Sequence, residues 1–135
     1  MDLEKTLHIS ASGLQAQGTR LRTIAENIAN AGSTAQVPGG EPYRRKIVTF
    51  ENELDRALGV DLVRIRDIGV DRGEFGRRYQ PGHPAADANG YVLTPNVNTL
   101  IEMTDMREAQ RSYEANLRVI QASRAMLQQT IEILR

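Results

Sequence analysis

Cysteine is missing from this chain altogether, and so is tryptophan. Without cysteine there is no disulfide framework, no thiol nucleophile and no thiolate-held metal. Aromatic residues make up only 4% of the sequence, too few rings to anchor a large self-sufficient core. Neither charge sign is in excess: 17 basic and 17 acidic residues cancel to a formal net charge of zero. That balance argues against general nucleic-acid binding, which needs a basic surplus to displace counterions. It argues equally against an electrostatic membrane anchor. No apolar run approaches a transmembrane span. The opening MDLEKTLHIS has early acids where a signal peptide would have an apolar stretch, so the expectation is a chain exported, if at all, without a cleaved signal. Lysine is nearly absent too. Only Lys5 and Lys46 occur, and every other basic residue is an arginine, whose planar fork suits interfacial ion pairs. A GC-rich genome would leave the same bias. The length, 135 residues, is that of one domain.

Proline and glycine are absent from Asn98 to Arg135, and this absence is informative. Apolar and amphipathic residues recur there at steps of three and four: Met103, Met106, Gln110, Tyr113, Leu117, Ile120, Arg124, Leu127, Ile131 and Leu134. A 3.5-residue period held this long predicts a helix packed along its length on another helix. A second line of small and mixed residues runs beside it through Ala109, Ser112, Asn116, Val119, Ser123, Met126, Thr130 and Ile133. Two adjacent seams predict more than one helical neighbour. Thr99 and Glu102 read as a capping box, with Glu102 and Asp105 as first-turn acids facing the helix dipole.

The stretch from Asp2 to about Ala31 has the same rhythm, with Leu7, Leu14, Leu21, Ile24 and Ile28 on one face. Asp2 can cap its start and Gly32 can stop it. Gly13 and Gly18 lie inside, each costing about 0.8–1 kcal/mol relative to alanine, which favours close approach of another backbone. The helix-pairing set is therefore Leu7, Leu14, Leu21, Ile24, Ile28, Met103, Met106, Tyr113, Leu117, Ile120, Leu127, Ile131 and Leu134.

Between the helices the chain is β-prone and rich in turns. The loop GSTAQVPGGEP is followed by a strand-like Tyr43–Phe50, two possible helical turns over Glu51–Leu58 ending at Gly59, and a strand over Val60–Ile68. Asp71–Arg78 reads as irregular, with Phe75 as an anchor. Pro81-Gly82 suits a type II turn and Asn89-Gly90 a type I′ turn, before a short strand at Tyr91–Leu93. The expected fold is mainly α with a small β-rich insert. Residues 1–32 and 98–135 form long N- and C-terminal helices paired as an antiparallel coiled-coil-like hairpin, and residues 33–97 carry short strands.

Nothing in the sequence assembles a catalytic site. His8 and His83 are the only histidines. His83, with Asp87 four residues on, reads as a turn residue in Pro-Gly-His-Pro. Convergent ligands and the common nucleotide, hydrolase and metalloprotease motifs are missing. No enzyme, cofactor or metal is expected. A small soluble coiled-coil adaptor would show the same seams as a subunit of a larger assembly.

Four strings decide between those readings: SASGLQAQGTRLRTIAENIANAGST (Ser10–Thr34), PGGEPYRRKIVTF (Pro38–Phe50), YQPGHPAADANGYVLTPNVN (Tyr79–Asn98) and EMTDMREAQRSYEANLRVIQASRAML (Glu102–Leu127). In this order they resemble the axial proteins of the bacterial flagellum, and the last two resemble the proximal rod of the basal body. The resemblance implies a structural subunit that polymerises helically into the rod, transmits torque across the periplasm and forms part of the export channel. It implies paired terminal helices in an inner tube and a middle segment facing outward. The implied partners are copies of itself, the rod proteins FlgB, FlgF and FlgG, the rod-base protein FliE and the flagellar export apparatus. On this reading Asn27, Asn30, Asn116, Val119, Met126 and Ile133 are expected at subunit contacts, with Asn27 and Asn30 equally suited to capping their own helix, and Asn96 and Asn98 fix the entry into the last helix.

Overall fold

A computed structural model describes residues 2–135. The elements are α1 (Leu3–Ala29), β1 (Lys46–Asp55), β2 (Val60–Val70), β3 (Gly76–Tyr79), β4 (Tyr91–Thr94) and α2 (Thr99–Ile133). The chain is thus two long helices bracketing two small two-stranded sheets, β1-β2 and β3-β4. It divides into two compact units. One holds α1 as far as Leu21, residues 48–67 and α2 from Arg107; the other holds residues 22–47 and 68–106.

In the first unit the helices run antiparallel. A Cβ on Gly13 would stand 2.8 Å from Asn116 Nδ2, and one on Gly18 would meet the Tyr113 ring at 3.8 Å. Arg20 reaches Glu108 at 3.7 Å. The seam is made by small residues. Ala16, Ala109, Ser10 and Ser123 are buried, while Leu7, Leu14, Tyr113 and Ile120 are only half-buried at its flanks. Small side chains let the backbones close up, which explains why α1 tolerates glycine in its interior. The β1-β2 connection is only Arg56–Gly59, too short for a parallel crossover, so the pair is a hairpin. Ser12 Oγ accepts the Val63 N–H at 3.2 Å and so ties β2 to α1.

Several local expectations are corrected here. Glu51–Asp55 is strand, not helix. Arg64 holds Glu51 at 2.5 Å and Glu53 at 3.3 Å, and Asp55 Oδ1 accepts the Ala57 and Leu58 N–H groups. A sharp turn closes on Gly59, whose φ of 67° suits glycine. Cross-strand ion pairs and turn chemistry outweigh the helix propensity of ENELDRAL.

In the second unit, residues Gly76–Tyr79 pair antiparallel with β4, Gly76 opposite Thr94 and Tyr79 opposite Tyr91; the irregular reading of that stretch is corrected. The paired rings of Tyr79 and Tyr91 meet edge to face at 5.4 Å, and Val92 is buried behind them. The predicted glycine turns take other forms. Neither Gly82 nor Asn89 has positive φ, so the type II and I′ turns are absent. Instead Asp87 Oδ1 accepts the N–H groups of Asn89 and Tyr91, both at 2.9 Å, and Gly90 adopts φ 84° at the end of the turn.

The helix ends also differ from expectation at two points. Asp2 does cap α1, accepting the Glu4 N–H at 2.9 Å. The helix stops at Ala29, before Gly32, where Asn30 Nδ2 donates to Glu26 O and Ser33 Oγ donates to Asn30 Oδ1. Asn98, not Thr99, caps α2, its Oδ1 accepting the Leu100 N–H at 3.1 Å. With Asn98 as the cap, Glu102 falls one position beyond the residue a capping box would use, and its carboxylate bonds elsewhere.

Candidate assembly surface

The second unit is organised by a polar cluster. Asn27, near the end of α1, is 1% exposed, as is Glu102 in the first turn of α2. Asn27 Nδ2 donates to Lys46 O at 2.9 Å and to Glu102 Oε2 at 3.2 Å. Its Oδ1 accepts from Tyr43 Oη at 2.7 Å and from Lys46 N at 2.9 Å. One side-chain amide therefore makes four bonds, close to its full capacity. The other oxygen of Glu102 accepts from Arg45 Nε. The same guanidinium faces Asp71 at 3.6 Å and Asp105 at 3.7 Å. Asn96 completes the set, accepting the Arg45 N–H at 2.8 Å and donating to Asp71 O at 3.0 Å. Beside it Arg44 stacks 4.1 Å from the Phe75 ring centre. Phe75 is the anchor its sequence context suggested.

Burial sets the electrostatics. Desolvation pulls the Arg45 guanidinium down, but the Glu102 hydrogen bond and the charges of Glu102, Asp71 and Asp105 outweigh it and leave the group above its ordinary value. Burial pushes the Tyr43 phenol above 10.0; Lys46 opposes the shift, and Glu26 and Glu102 add to it. Lys46 is raised by its hydrogen bond and charge pairing with Glu26, 2.9 Å away. Removing Arg45 leaves the buried Glu102 carboxylate without its counter-ion, which costs about 3–5 kcal/mol, whereas Arg45 without Glu102 would still face Asp71 and Asp105.

The sequence-predicted positions divide into three groups. Ile24 is buried, and Leu7, Leu14, Leu21, Ile28, Met106, Tyr113, Asn116 and Ile120 are half-buried within the chain. Asn27, Asn30, Asn96 and Asn98 form hydrogen bonds inside this chain. Asn27 was expected among subunit contacts, yet its amide is wholly used by its own unit; Asn30 caps its own helix. The third group faces solvent: Met103 at 48%, Leu117 at 38%, Val119 at 40%, Met126 at 53%, Leu127 at 43%, Ile131 at 52%, Ile133 at 82% and Leu134 at 81% exposed. Much of the large-residue seam of α2 is therefore left open, and small residues make the intrachain contact. Sequence reasoning missed Tyr43, Arg45, Lys46 and Asp71 as organisers. The dense YRRK run within a β-prone stretch was their one signal.

A structure with open helix stripes and a fully satisfied polar cluster is a building block, and comparison with known proteins names the assembly. Residues 7–35 match the family model for flagella basal body rod proteins, and residues 88–133 match that for the C-terminal region of flagellar basal body rod FlgEFG proteins. The chain is 58% identical over 127 residues to the flagellar basal-body rod protein FlgC of Agrobacterium fabrum, covering 94% of this chain and 91% of that one. The chain belongs to the FlgC family of flagellar basal-body rod proteins. Its FlgC relatives in Salmonella typhimurium, 37% identical over 133 residues with 98% of both chains covered, and in Bacillus subtilis, 36% identical over 143 residues with 95% of both covered, align along almost their whole length. This rod protein is a structural subunit, not a soluble adaptor and not an enzyme. Among the described residues no helix is long and apolar enough to cross a membrane.

Proposed function

We propose that the chain polymerises helically in the proximal rod, joining copies of itself and the rod proteins FlgB, FlgF and FlgG, with FliE at the base. In that place it transmits motor torque across the periplasm and forms part of the export channel, reaching it through the flagellar export apparatus. Residues 1–32 and 98–135 would supply the inner tube and residues 33–97 the outer segment. The observation that carries this reading is the apolar stripe of α2, from Leu117 to Leu134, left exposed by a helix pair that closes on small residues. An unclosed head-to-tail contact between such stripes extends as a filament, and apolar surface of this extent marks an interaction site. The test is complementation. A strain lacking the gene should form no rod beyond its base, and the intact chain should restore rods into which it is incorporated, visible by electron cryo-microscopy of basal bodies. Normal rods without the chain would refute the proposal.

A further inference from the structure

In the first unit, α1 and α2 border a shallow depression of about 210 Å³, lined by Leu7, His8 and Ala11 of α1 and by Ile120 of α2. His8 and Ala11 are exposed there, and Leu7 and Ile120 are half-buried. With Glu4, the three α1 residues occupy positions i, i+3, i+4 and i+7. Four side chains at that spacing form the hole that takes a knob from a neighbouring helix. The occupant that fits is a helix carrying a large aliphatic side chain.

The chain has such a side chain but cannot deliver it to itself. Leu127, Ile131 and Leu134 are exposed and follow one another at steps of four and three at the end of α2. Gly13 stands against Asn116, and this register brings Ile120 to the depression. Ile131 lies eleven residues further on, about 16 Å along the same helix. The tail therefore runs away from the depression of its own chain, and a knob from this stripe comes from a second copy. Copies displaced along the helices keep the direction of α2, which is antiparallel to α1. The incoming tail then sets Leu127 near Ala11, Ile131 over the hole and Arg135 at the level of Glu4. Glu4 and Arg135 are opposite in charge, and neither has an ion pair among the described residues. A tail entering the other way would carry Arg135 to the level of Ala11 and Ser12, where α1 has no acid.

We propose that this depression receives Ile131 from the overhanging end of α2 of a second copy, laid antiparallel to α1 in a head-to-tail contact. The contact rests on the reading of the chain as a rod subunit, and it gives the exposed stripe its mate. The donating and accepting surfaces differ, so the contact does not close on itself, and each copy offers a tail to the next. With Ile131 of one copy at the level of Ile120 of the other, successive copies are displaced by about 16 Å along the helix.

The natural absence of cysteine makes disulfide trapping in isolated basal bodies a direct test. One full-length variant carries Ala11→Cys with Leu127→Cys, and a second carries Ala11→Cys with Leu134→Cys. Within a single chain both pairs are beyond disulfide reach. On oxidation the first variant should shift from 15.0 kDa to a ladder of multiples, reversed by reductant, while the second stays monomeric. If the paired substitutions keep the chain out of rods, chains carrying Ala11→Cys and Leu127→Cys separately are expressed together, and a dimer is expected. A chain present in rods but monomeric after oxidation would overturn the contact and leave the rod reading standing, with another rod protein or nothing over the depression. Cross-linking through Leu134→Cys alone, or bands from the first variant that stop at the dimer, would overturn it too. Absence of the unaltered chain from the basal bodies of motile cells would instead remove the rod reading.

Discussion

Asn27 shows how much one amide can hold. Its four bonds join α1 to the 43–46 segment and to α2 within one unit. Asn27→Ala strands the Lys46 N–H and the Tyr43 hydroxyl and takes a donor from Glu102, so the cost should be roughly 2–4 kcal/mol. Asn27→Asp, of the same shape, should cost no less, because it turns the donor facing Glu102 into a second carboxylate. Urea unfolding followed by tyrosine fluorescence measures both. Tyr43 supplies the pH dependence. Its folded pKa lies above the ordinary 10.0 because the phenol is buried, so its proton is held more tightly in the folded state. The resulting stability is present in full below about pH 10 and lost as pH rises through the folded value. Titration at 295 nm should show a late-ionising tyrosine that Tyr43→Phe abolishes. None of this was legible residue by residue. Asn27 sits on a helical face like any other polar position. Glu102 fits a capping box in sequence, but the cap is Asn98, one residue earlier, and the partners of Glu102, Arg45 and Asn27, arrive from distant segments.

At the scale of elements, the helices were legible and the hairpin was not. A 3.5-residue rhythm with terminal caps depends on local sequence, and it located α1 and α2 to within a few residues. The far half of β1 looked helical because its glutamates favour helix, while the arginine that holds them lies on β2. The seam between the helices was half legible. Both lines of α2 were visible, but which one closes inside the chain depends on the glycines of α1 opposite. Those glycines yield a contrasting prediction. Gly18→Ala meets only ordinary contact at 3.8 Å and should stabilise by about 0.5–1 kcal/mol through helix propensity. In Gly13→Ala the new methyl lands 2.8 Å from Asn116 Nδ2. The amide must move, and the propensity gain should be cancelled or reversed. Denaturation followed by far-ultraviolet circular dichroism separates the two. Equal stabilisation by both would mean that the helices do not pack this closely.

For the whole molecule, the decisive fact is unequal helix length. α2 has 35 residues and α1 has 27, about 52 Å against about 40 Å. The register that sets Gly13 against Asn116 runs out of α1 near Met126. From Leu127 onward, α2 has no helix opposite it among the described residues, and Ile131, Ile133 and Leu134 are more than half exposed. Few large side chains are buried among the described residues, so the core is small, and the missing contacts are those a neighbour would make. Substitutions should therefore separate folding from assembly. Ile120→Asp acts on both, because Ile120 is half-buried beside Leu7 and Ala11. Leu117→Asp and Ile131→Asp change exposed positions, so they should leave unfolding of the isolated chain within about 0.5 kcal/mol. Within a rod the same carboxylate would be buried without a partner, and incorporation should fail. Soft-agar motility and the rod content of isolated basal bodies measure that failure, with Gln121→Ala, on an exposed polar position of the same helix, as the control that keeps both. Motile cells carrying Ile131→Asp would mean that the overhanging turns of α2 remain in water in the assembled rod, and that its subunits are held together by another surface.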